Sequence, residues 1–128
     1  MAKINTAGTG SESQEQQALF RWWRLCQPKL APERVMYAIP NGGRRDAITG
    51  ARLKAEGVLA GVPDVFLAAP AGPYAGLYLE MKRRNGGRAT PAQKAVLATL
   101  EASGYAVAVC YGWREAAEEI VRYLGAGK

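Results

Sequence analysis

At 128 residues and 48% hydrophobic content, the chain suits one folded domain with a modest core and is too apolar for a disordered tail. It contains no histidine, which excludes Ser-His-Asp and Cys-His mechanisms, histidine-ligated zinc and histidine-based nucleases; any catalysis must run on carboxylates, lysine, tyrosine or a metal. A formal net charge of +6 and a pI near 9.6 favour a polyanionic partner, most commonly a phosphate backbone.

Residues 1–10 carry Gly, Thr, Ser and Asn with little apolar content and are expected to fray, leaving 11–125 as the domain. Ser11 with Gln14 makes a capping-box pattern for a helix from Glu12 to Cys26, striped by Leu19, Phe20, Trp23 and Cys26 and ended by Pro28 and Pro32. Arg34–Ile39 reads as a strand, followed by the glycine-rich loop Pro40-Asn41-Gly42-Gly43. Asp46–Glu56 reads as a short helix closed by Gly57. Two apolar strands follow, Gly61–Ala68 and Ala75–Lys82, joined by Ala69-Pro70-Ala71-Gly72-Pro73-Tyr74, turn chemistry that brings them back antiparallel. After the loop Asn85–Arg88, Thr90 caps a third helix with Pro91 at its first position and Gly104 past its end. Tyr105–Cys110 is a buried strand, and the last helix runs from Trp113 to Leu124. No apolar run spans a bilayer and no leader is expected, and two distant cysteines, Cys26 and Cys110, read as reduced, buried thiols of a cytoplasmic protein.

The chemistry lies in Pro63-Asp64 and Glu80-Met81-Lys82. Strand alternation puts Glu80 and Lys82 on one face and Met81 on the other. Asp64, Glu80 and the backbone carbonyl of Met81 are oxygen donors suited to a hard cation such as magnesium, which would polarise a phosphodiester. Lys82 would orient or deprotonate the attacking water, or neutralise charge growing on the phosphate. The plain alternative is a surface aspartate after a proline and an ordinary Glu/Lys pair at a strand end.

The basic residues cluster, as Arg44-Arg45, Arg52 and Lys54, and as Lys82-Arg83-Arg84 and Arg88. In Asn41-Gly42-Gly43-Arg44-Arg45 the glycines let backbone N–H groups cradle phosphate while the arginines add charge-assisted contacts. The alternative is a plain turn carrying solvated arginines. Trp22, Trp23 and Trp113 fit core or subunit packing better than base stacking.

This order of elements, with Ala38-Ile39-Pro40-Asn41-Gly42-Gly43, Leu53-Lys54-Ala55-Glu56-Gly57, Gly61-Val62-Pro63-Asp64, Glu80-Met81-Lys82, Thr90-Pro91-Ala92-Gln93 and Gly104-Tyr105, resembles the VRR-NUC family of the PD-(D/E)XK nuclease superfamily, most like its small stand-alone phage and prophage members. The resemblance spans about Glu12 to Leu124. It implies an α/β, restriction-endonuclease-like PD-(D/E)XK core, a mixed four-stranded sheet flanked by helices. It implies Asp64 and Glu80 as metal ligands, Lys82 as the catalytic lysine, and Gln93 as a holder of Lys82 or of a water. A further acid is expected on the first helix, where Glu12 and Glu15 both qualify. Magnesium or manganese is the implied cofactor, and DNA the substrate, contacted by Asn41, Gly42, Gly43, Arg44, Arg45, Arg83, Arg84 and Arg88. A homodimer resolving four-way (Holliday) junctions in a bacterial or phage-infected cell is the leading expectation. A nuclease nicking flaps or other branched DNA, and a non-catalytic DNA-binding accessory factor, are the alternatives.

Overall fold

Helix α1 (Glu12–Leu30) starts where the sequence pattern places it: the Ser11 hydroxyl accepts the Gln14 N–H, and the Gln14 side chain accepts the Ser11 N–H. In the computed structural model, which describes residues 10–40 and 47–125, α1 continues past the expected stop at Pro28. A proline so near the end forfeits one helical bond, in a solvent-facing turn. The closing turn is held by the Ala31 N–H on the Gln27 carbonyl (2.9 Å) and the Gln27 amide on the Ala31 carbonyl (2.8 Å). Leu30, packed against the core, rewards the extra turn.

Strand β1 (Val35–Ala38), helix α2 (Ala47–Ala55), strands β2 (Val65–Ala68) and β3 (Leu77–Lys82), helix α3 (Pro91–Ala102), strand β4 (Ala106–Tyr111) and helix α4 (Trp113–Gly125) complete the order. The expected first residue of α2, Asp46, lies outside the described residues. The sheet runs β1-β2-β3-β4, antiparallel except for the parallel β3/β4 pair that the α3 crossover requires. This is the mixed four-stranded α/β arrangement expected from the sequence.

Alternation along β3 divides the molecule. Leu77, Leu79 and Met81 join Val65, Leu67, Leu19, Trp23, Ala116 and Ile120 in the core beneath α1 and α4. Glu80 and Lys82 point to the other face, where α3 begins. Trp23 is buried, and Trp22 and Trp113 pack on the core, so the tryptophans serve packing. Two expectations are corrected. Cys26 is only half-buried, because it sits at the margin of the α1 stripe, whereas Cys110 is buried. β4 is half-buried along most of its length, since as an edge strand it has a neighbour on one side only. No helix among the described residues is long and apolar enough to cross a membrane.

Candidate active site

Asp64 stands just before β2 with its backbone fixed on both sides. Its N–H donates to the Leu79 carbonyl (3.0 Å) and its carbonyl accepts the Ile39 N–H (2.7 Å). Its side chain reaches past the last β2–β3 pair, Val65↔Leu79, to a residue two further along β3: Oδ2 accepts the Met81 N–H at 2.7 Å. The N–H and C=O of a strand residue point to the same side, so the Met81 carbonyl is turned toward Asp64 as well. Gly61 lets this turn approach α3. Its φ is +89°, and a Cβ there would lie 2.9 Å from the Ala92 backbone.

Glu80 and Lys82 are nearly fully buried, at 2% and 7% exposure. Buried charges need partners, and Gln93 supplies them. Its Nε2 donates to Glu80 Oε2 (3.0 Å), and its Oε1 accepts from Lys82 Nζ (3.2 Å), which lies 3.7 Å from Glu80 Oε2. The same Oε1 accepts the Thr90 N–H (2.8 Å), while the Thr90 hydroxyl accepts the Gln93 N–H (3.1 Å). The capping box that starts α3 therefore also places the amide in the site. This link is legible in the spacing Thr90-x-x-Gln93, a signal the sequence reading did not use.

Burial pushes the Glu80 carboxyl up to about 8; the Asp64 charge adds to the rise and Lys82 opposes it. Glu80 Oε1 is buried without a hydrogen-bond partner. Two crowded carboxyl groups, one with an oxygen left without a partner, and a carbonyl turned the same way form an all-oxygen donor set that fits a hard divalent cation. Among the described residues no three His, Cys, Asp or Glu side chains gather into a cage. Two carboxylates with retained waters suffice for magnesium.

Glu12 and Glu15 lie three residues apart in α1 and do different things. Glu12 is half exposed, its Oε2 4.0 Å from Lys82 Nζ. Glu15 is buried: Oε1 accepts the Trp113 N–H at the start of α4 (2.9 Å) and Oε2 pairs with Arg84 Nε (3.3 Å). Gly112, at φ +90°, makes room for that arginine, since a Cβ there would lie 2.7 Å from Arg84 Cγ. Of the arginines expected to meet DNA, Arg83 and Arg88 are exposed and Arg84 is turned inward. Asn41, Gly42, Gly43, Arg44 and Arg45 lie outside the described residues.

Residues 10–114 match the family model described as VRR-NUC domain. A solved structure named "VRR_NUC domain protein" is similar with a TM-score of 0.78 and 28% identity, over 94% of this chain and 93% of that one. No curated protein matches the chain.

Proposed function

This chain belongs to the VRR-NUC domain family, a nuclease family of the PD-(D/E)XK type, and we propose that it is a divalent-metal-dependent, structure-specific DNA endonuclease that resolves four-way junctions as a homodimer. The observation that carries the reading is the cluster of Asp64, Glu80, Lys82 and Gln93, in which the half-buried Gln93 amide joins the buried Glu80 and Lys82, Asp64 holds the Met81 N–H between them, and one Glu80 oxygen is left unsatisfied.

Asp64, Glu80 and the Met81 carbonyl would hold magnesium or manganese. When bound, that ion supplies Lewis-acid polarisation of the scissile phosphate and lowers the pKa of water. Gln93 fixes Lys82 and Glu80 relative to each other, so neither has to reorganise as charge develops. Lys82 stabilises negative charge on the phosphate or orients the attacking water for in-line displacement. Glu12, facing Lys82 from α1, completes the acidic rim, and Glu15 holds the frame. Exposed Arg83 and Arg88 beside this cluster, with the Asn41–Arg45 loop, supply phosphate contacts. Two such sites related by a two-fold axis suit the symmetry of a four-way junction.

The test compares wild type with Asp64→Asn on a fixed junction, a flap and plain duplex, with magnesium, manganese or chelator. Metal-dependent symmetrical cutting of the junction, abolished by the substitution, is expected. Cutting of flap or duplex alone would keep the nuclease and discard the junction. Junction binding without cutting in either protein would replace the enzyme with an accessory factor.

A further inference from the structure

Beside α1, on the side away from Arg84, the chain leaves an open cleft of about 720 Å³ between that helix and the free edge of β1. Its helical wall is Gln16, Gln17, Phe20, Arg21 and Arg24, and its floor is Trp23 and the β1 backbone from Met36 to Ala38. No acid lines it. Neither Arg21 nor Arg24 is paired with a carboxylate among the described residues. The strand wall adds further donors. The Ile39 N–H bonds to the Asp64 carbonyl, and pairing then alternates back along the register Ala38↔Val65, Tyr37↔Phe66, Met36↔Leu67. That alternation turns the N–H and C=O groups of Met36 and Ala38 outward, toward the cleft.

A cavity with two free guanidinium groups, outward N–H groups and glutamine amides, and without a carboxylate, is built for an acceptor-rich anion. Its position names the anion. Ser13, which also lines it, follows Glu12, the α1 residue that faces Lys82. Arg21 and Arg24 lie two to three turns further along the same helix. A strand whose phosphodiester sits at Lys82 and which continues along α1 meets these donors in succession.

We propose that this cleft binds one strand of the DNA substrate, outside the scissile position, through phosphate contacts to Arg21 and Arg24 and to the edge of β1. The proposal rests on the nuclease reading for its ligand and reaches beyond it in assigning a second, non-catalytic binding site.

The test uses a fluorescein-labelled single-stranded oligothymidine and a junction, titrated in chelator so that binding is read without cleavage. Proteins are wild type, Arg21→Gln/Arg24→Gln, and the control Arg52→Gln/Lys54→Gln, which removes two exposed charges elsewhere. The cleft variant is expected to bind at least tenfold more weakly with its thermal midpoint unchanged. Its plot of log affinity against log salt should be shallower by about 1.4, the counterion release of two single-strand phosphates. Cleavage at saturating DNA should be unchanged and KM raised. Equal losses in the two double variants would reduce the effect to net charge and overturn the proposal. Undiminished affinity in the cleft variant, with metal-dependent cleavage intact, would remove the cleft alone and leave it open to an extended acidic peptide adding to β1. Failure of wild type to cut, with the cleft variant still selectively weakened, would remove the nuclease and keep the cleft.

Discussion

Asp64 Oδ2 accepts the Met81 N–H at 2.7 Å, so the carboxylate that brings charge to the site also closes the β2–β3 pairing. The two roles separate by substitution. Asn retains an oxygen acceptor and loses the charge; Ala loses both and leaves a part-buried N–H unsatisfied, a cost of about 1–3 kcal/mol. Urea unfolding should show Asp64→Ala destabilised by about that amount and Asp64→Asn close to wild type, while both lose metal-dependent cleavage. An Asp64→Asn protein that cuts DNA normally would remove the residue from the chemistry.

Glu12 and Glu15 divide labour in a way their shared helix turn conceals. Glu12→Gln should lower cleavage at least tenfold without moving the unfolding midpoint, because its carboxylate is half exposed and reaches Lys82 only at 4.0 Å. Glu15→Ala should lose about 1–3 kcal/mol, because it strips the Trp113 N–H and Arg84 of their acceptor. Glu15→Gln should recover part of this through the Trp113 bond. The opposite pattern, with Glu15→Gln inactive yet stable and Glu12→Gln active, would exchange the assignments.

The pieces of this site that the sequence made legible are those whose position follows from local rules. Strand alternation places Glu80 with Lys82, and Thr90-Pro91 starts α3. What escaped depends on distance in the chain. Nothing within α1 says that Glu15 will meet Trp113, 98 residues on, and become a buried strut. Nothing around Arg84 says that it will turn toward that strut. Both follow from how α1 and α4 pack together, which periodicity does not encode. The passage of α1 through Pro28 is the same lesson on a smaller scale, a local stop signal overruled by burial of Leu30.

Gln93 offers a test of positioning against capping. Gln93→Ala removes the bonds to Glu80 and Lys82 together with the acceptor of the Thr90 N–H; Thr90→Ala removes only the hydroxyl half of the cap and leaves the amide in reach. Thr90→Ala is expected to cost about 1 kcal/mol of stability with cleavage nearly intact. Gln93→Ala should reduce kcat/KM by roughly 10–100-fold, the range seen when an outer partner of a metal site is lost. Steady-state cleavage and urea melts on both proteins decide it, and matching losses of activity would assign Gln93 to the cap alone.

Glu80 ties the site to stability through pH. Burial, then the Asp64 charge, holds its carboxyl at about 8, against 4.5 for a free glutamate side chain. Between those values the folded protein keeps a proton that the unfolded chain releases. The folded state therefore binds more protons, and the free energy of unfolding falls as pH rises across that window. Glu80→Gln has nothing to titrate there and should not share the decline. Urea midpoints in chelator at both ends of the window should show wild type losing ground to Glu80→Gln as pH rises. Magnesium at the upper end should return the loss to wild type only, since a ligand bound to the folded state stabilises it by mass action. Parallel profiles for the two proteins would mean that Glu80 titrates as an ordinary carboxylate, and that burial beside Asp64 does not hold its proton.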